Sequence, residues 1–119
     1  MSDADAQPPW VVAVGDAALT PDELDPTDVL AGDPQTASRE LWSATGTADL
    51  GIWEITAGTV TDVEADELFV VLSGRATIAF EDGPVLEVGP GDACRLKAGQ
   101  RTVWTVHETL RKVYAIVSG

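Results

Sequence analysis

The chain has 119 residues, the length of one ordinary domain, and 45% of them are hydrophobic, enough for a core. Its 7 Lys and Arg stand against 20 Asp and Glu, a formal charge of −13 that repels phosphate backbones and speaks against nucleic-acid binding. The only cysteine, Cys94, and the only histidine, His107, exclude an internal disulfide and a Cys/His zinc site.

Residues 1–9 are acidic and polar, with no basic start and no apolar run, and read as a disordered tail rather than a secretory signal. WVVAV (10–14) is a short strand candidate, rich in β-branched residues. A loop-rich extension follows to residue 37; within it Thr20-Pro21 resembles the start of a helix that Pro26 keeps short.

From residue 38 to 119 strand-like segments recur: RELWSA, GIWEIT, ELFVVLS, RATIAFE, VLEVG, ACRLKA, TVWTVHE and KVYAIVS. Turn signals separate them, among them Ser73-Gly74 and Asp82-Gly83, the latter a tight hairpin turn after the alternating RATIAFE run. Such punctuation predicts an all-β sandwich or barrel. The longest apolar runs, such as LFVVL, are too short to span a bilayer, so a cytoplasmic protein with no membrane partner is expected.

Four carboxylates, Asp62, Glu64, Asp66 and Glu67, crowd into six positions before that apolar run. Glu67, six residues and then Gly74 resemble the end of the first cupin motif, G-x5-H-x-H-x(3-4)-E-x6-G. Gly91 to Gly99 resembles the second motif, G-x5-P-x-G-x2-H-x3-N, with Lys97 where proline is usual. With VLAGDP, ELW, GIWEI, the Trp104 strand and TLRKVY, the chain resembles the small cupins of the ureidoglycine aminohydrolase type over roughly residues 28–117. The resemblance implies a cupin-type double-stranded β-helix, a conical, jelly-roll-like antiparallel barrel, and a homodimer. In metal-dependent cupins two histidines and the glutamate of the first motif, with one histidine of the second, hold a transition metal.

The departures bear directly on that metal. Counting from Gly58 puts Glu64 and Asp66 in the two histidine places; counting back from Glu67 points to Val60 to Val63. Thr102 takes the histidine place of the second motif and Val106 that of the asparagine. Only Glu67 remains, so no metal site and no cofactor is expected, a carboxylate-held divalent cation being the alternative.

Glu67 points into the barrel by period two with Phe69 and Val71, either as an acid–base group with a raised pKa or as a buried Glu satisfied by Lys112, Arg95 or backbone donors. Asp62, Glu64 and Asp66 are either oxygen ligands for a hard cation or, in the ordinary reading, a solvated face. Trp104 shares a face with Thr102 and is either core or a stacking surface for a planar ligand; the facing of Trp53 is open. Tyr114 and Lys112 share a face of the last strand and either reach the cavity or form an amphipathic Tyr and a surface Lys. His107 is expected to face away from the cavity, and Cys94 to be a buried, inert thiol.

Three functions follow, in order of preference. The first is a small-molecule-binding barrel without a transition metal, with Glu67, Tyr114 and Lys112 as candidate catalytic groups and Phe69, Thr102, Trp104 and Trp53 as ligand contacts. The second is a non-catalytic structural or regulatory dimer whose barrel is filled by its own side chains. The third is a metal-dependent hydrolase acting on a ureido compound.

Overall fold

The computed structural model describes residues 8–44 and 46–118. Residues 1–7 of the expected tail lie outside the described residues. The strands are β1 (Thr20–Asp22), β2 (Val29–Gly32), β3 (Thr36–Ala44), β4 (Ala48–Ile55), β5 (Gly58–Val63), β6 (Glu67–Phe80), β7 (Val85–Val88), β8 (Ala93–Leu96) and β9 (Arg101–Val117). All pair antiparallel within one strongly curled sheet, in agreement with the all-β barrel expected.

Two long strands form a spine. β6 runs along β9 from the pair Glu67–Ile116 to the pair Phe80–Thr102. Short strands flank each half of it. β4 and β8 line the half around Glu67 to Val70, whereas β5 and β7 line the half around Ala76 to Phe80. ELFVVLS and RATIAFE, read as two strands, are therefore one, as are TVWTVHE and KVYAIVS.

The break between the halves is local. Inward residues of β6 are Glu67, Phe69 and Val71 before it, then Ala76 and Ile78 after it, so the alternation changes phase. The register with β9 slips between Val71 and Ala76. Gly74 sits there with φ +83°, and a Cβ on it would overlap the carbonyl oxygen of Thr109. Glycine is the residue that permits both the left-handed backbone and this approach. The bend turns the two halves face to face: Phe69 from one lies 5.6 Å from Trp104 of the other, centroid to centroid. Phe69, Ile78, Leu96 and Leu110 are fully buried between them, each worth about 1.5–3 kcal/mol over exposure.

Residues 10–14, expected as a strand, pair with no strand. The Val14 carbonyl instead accepts a hydrogen bond from the Arg111 guanidinium at 2.9 Å, and Ala17 does the same at 3.0 Å. Arg111 also pairs with Glu54 at 3.0 Å, so the segment is tied to the outer face of β4 and β9. The helix expected at Thr20-Pro21 is likewise absent: residues 20–22 add to the edge of β3, and the helical turn is a short 3-10 piece at Pro26–Asp28 capped by Asp25. A lone turn gains few hydrogen bonds, whereas an open sheet edge offers a full row. β5, which the sequence reading passed over as a strand, pairs with β2 and β9.

Candidate functional site

The inner faces of β3, β4, β5 and β9 and the extension enclose a pocket of about 360 Å³. Trp53, Trp104 and Tyr114 wall it, Glu67 and Lys112 form its floor, and Asp22, Glu23, Asp28 and Asp62 line its rim. No helix of the described residues is long and apolar enough to cross a membrane.

The floor begins from strand register. Glu67 opens β6 facing inward, and Lys112 faces inward on β9. Their side chains meet with Lys112 Nζ 2.7 Å from Glu67 Oε2, each only 8% exposed. The same ammonium stands 4.4 Å from the Phe69 ring centroid, 4.6 Å from Trp53 and 5.1 Å from Trp104. A desolvated ammonium needs both a counter-charge and π faces to replace water, and here it has them. Glu67 is thus not the lone carboxylate of the acid–base reading; it is the buried Glu satisfied by Lys112. The surface reading of Lys112 is corrected at the same time.

Tyr114 is half-buried against the pocket, and burial, then the charges of Glu40 and Asp49, push its phenol pKa up. Its cross-strand partner is Gly51, where a Cβ would lie 2.5 Å from the phenol oxygen, so glycine leaves room for the ring to lean over β4.

Beside the rim, and outside the pocket lining, Glu64 sits just past the end of β5. Its backbone is pinned both ways: its N–H donates to Gln100 and its carbonyl accepts from Gly99. The side chain is buried, and one oxygen, Oε2, accepts from Thr102 Oγ1 at 2.7 Å and from Trp104 Nε1 at 2.9 Å. Asp62, directly across from Thr102 on β5, hydrogen-bonds Glu64 side chain to side chain. A carboxyl beside another carboxylate holds its proton more tightly. Asp62 keeps solvent on one side, yet desolvation of its carboxyl, followed by the Glu64 charge and hydrogen bond, raises its pKa to about 6. The solvated-face reading therefore fails for Glu64, which is buried, whereas Asp62 remains exposed on one side. It holds for Asp66, which turns outward, bonds the Ala98 N–H at 3.0 Å and Arg95 at 3.4 Å, and has its pKa lowered chiefly by that N–H.

The remaining candidates separate. Trp53 and Trp104 face the pocket, 6.0 Å apart and edge to face, which settles the facing of Trp53. Phe69 lies below them with no exposure, and Thr102 is turned to Glu64. His107 is exposed and bonds Thr77, away from the cavity. Cys94 is buried, with its thiol pKa raised by desolvation. The rim residues Asp22, Glu23 and Asp28 were not singled out in the sequence, whereas Asp62 and Glu64 were weighed there only as cation ligands or a solvated face. The signal for Glu64 was present, since it stands in a histidine place counted from Gly58.

The cupin frame implies a transition metal, and the donors here do not fit one. Glu67 is engaged by Lys112, Glu64 by Thr102 and Trp104, and no imidazole faces the pocket. Among the described residues no group of three or more His, Cys, Asp or Glu is arranged to hold a metal.

Comparison with known proteins agrees with this frame. The EutQ-like cupin domain family matches residues 42–114. A Pseudomonas syringae protein of unknown function in the DUF861 family is 30% identical with a TM-score of 0.76, over 84% of this chain and 44% of that one. This chain thus spans less than half the length of that relative. The Clostridium difficile EutQ protein superposes with a TM-score of 0.63 at 18% identity, covering 81% and 80% of the two chains. A cupin superfamily protein of Desulfitobacterium hafniense does so with 0.61 at 17%, covering 71% and 79%. These last two carry the fold alone, and no curated protein sequence matches the chain. The curled barrel, the two cupin motif remnants and the match over more than half of the sequence together make the chain a member of the EutQ-like cupin family.

Proposed function

We propose that this chain binds a small polar metabolite in the barrel pocket without a transition metal, and that Asp62 at the rim handles a proton there. The observation that carries this reading is the pocket itself: an opening of about 360 Å³ with aromatic walls, a neutralised floor and, at its rim, the Asp62 carboxyl with its raised pKa. Apolar walls with a few oriented polar groups are what small-ligand sites require. Four rim carboxylates repel anions, so the ligand is neutral or cationic. Glu67, held by Lys112, orients rather than transfers protons, and Tyr114 supplies a phenol donor at the wall.

The test is a thermal-shift screen of small polar metabolites sorted by charge. Neutral or cationic members raise Tm, and Asp62→Asn removes the response. A screen in which only anions bind, or in which nothing binds, overturns the reading. The second outcome favours the structural alternative, which the filling of the barrel by Phe69 (0% exposed) and Trp104 (3%) also supports. A metal-dependent ureido hydrolase comes last, because the donor set lacks the imidazoles such chemistry uses.

A further inference from the structure

The glutamate that metal-binding cupins place on their ion is retained here, and it already has a cation. Lys112 Nζ lies 2.7 Å from Glu67 Oε2, and the rings of Phe69, Trp53 and Trp104 stand 4.4 to 5.1 Å away on its other sides. Three strands supply these groups: Glu67 and Phe69 come from the start of β6, Trp53 from β4, and Trp104 from the half of β9 away from Lys112. We propose that the Lys112 ammonium is a built-in cation that takes the place of the metal ion on Glu67. Glu67, Trp53, Phe69 and Trp104 then form a cation-binding box in their own right, one that accepts a small alkylammonium ion once the lysine nitrogen is removed. The inference is independent of any metabolite: a carboxylate and three π faces select a monovalent organic cation over a divalent metal, which demands more oxygen or nitrogen donors than the box has.

The experiment is thermal denaturation of Lys112→Ala protein titrated with methyl-, ethyl- and propylammonium chloride, against sodium chloride and 1-propanol. The expected result is a saturable rise in Tm with the alkylammonium ions, none with the controls, and loss of the response when Glu67→Gln is added. An equal rise with 1-propanol means simple cavity filling and overturns the proposal, as does a folded Lys112→Ala protein that responds to neither. Should Lys112→Ala not fold, the double variant Lys112→Met/Glu67→Gln decides. Melting well above Lys112→Met alone supports the pairing, and melting below both single variants overturns it. Wild-type protein dialysed against Mn²⁺ or Zn²⁺ is expected to retain neither; a stoichiometric metal that Glu67→Gln releases also overturns it.

Discussion

The floor of the pocket and the cluster beside its rim handle carboxylates in opposite ways. At the floor, Glu67 meets a full positive charge on the neighbouring strand, within three aromatic rings. Beside the rim, Glu64 meets a hydroxyl, an indole N–H and the Asp62 carboxyl, so its charge is met by neutral donors. The first arrangement closes its charge with an ion pair; in the second, the neighbouring Asp62 has its pKa raised to about 6. A single barrel thus holds a carboxylate closed by an ion pair, Glu67, and a carboxyl of raised pKa, Asp62, a few residues apart in sequence.

Breaking the floor should have the largest effect. Lys112→Met leaves Glu67 buried without its partner and is expected to cost about 3–5 kcal/mol, read by chemical denaturation. Gly74→Ala strikes the bend that brings the two halves of the spine together. It is expected to cost about 3 kcal/mol from backbone strain and overlap with Thr109, with Gly74→Ala protein showing a lowered denaturation midpoint. Thr102→Val removes one of the two donors on Glu64 with little change in volume; a loss of about 2 kcal/mol is expected by the same measurement. A negligible change would mean that the cluster beside the rim does not depend on that donor.

The comparison sharpens further with pH. The Asp62 pKa is raised from 3.8 in the free group to about 6 in the fold, so between these values the folded state binds more protons than the unfolded state. The stabilisation is complete below pH 4 and is lost as pH rises through 6. With solvent reaching one side of the carboxyl, the slope should amount to on the order of 1 kcal/mol. Denaturation midpoints of wild type and Asp62→Asn across pH 4 to 7 check it: the variant should lack this slope. Smallest of all, Arg95→Ala breaks an exposed pair with Asp66 and should leave the midpoint where it was.

Much of the frame was legible. The Gly-punctuated strands, the Asp82-Gly83 turn and the spacing from Glu67 to Gly74 pointed to a cupin barrel, and the structure and the family match agree. Period two placed Glu67 and Phe69 inward and put Trp104 on the face of Thr102, and all three are buried, while Lys112 was left open between cavity and surface. The short elements were less legible. WVVAV has the composition of a strand, but its backbone is tied to Arg111, distant in sequence. Thr20-Pro21 looks like a helix start, but the open edge of β3 claims it.

The sequence by itself determined what the barrel is made of and which side chains alternate into it, because hydrophobic period and turn chemistry are local properties. It also determined what the pocket lacks, since residues absent from the chain cannot be folded into a site. Only the tertiary structure decided how the carboxylates are used. Glu67 could have been a lone acid, and Glu64 a solvated one. Their partners, Lys112 at 45 residues' separation and Thr102 and Trp104 at 38 and 40, lie on a different strand. Charge pairing across such distances depends on register and on the bend at Gly74, and these exist only once the sheet has closed.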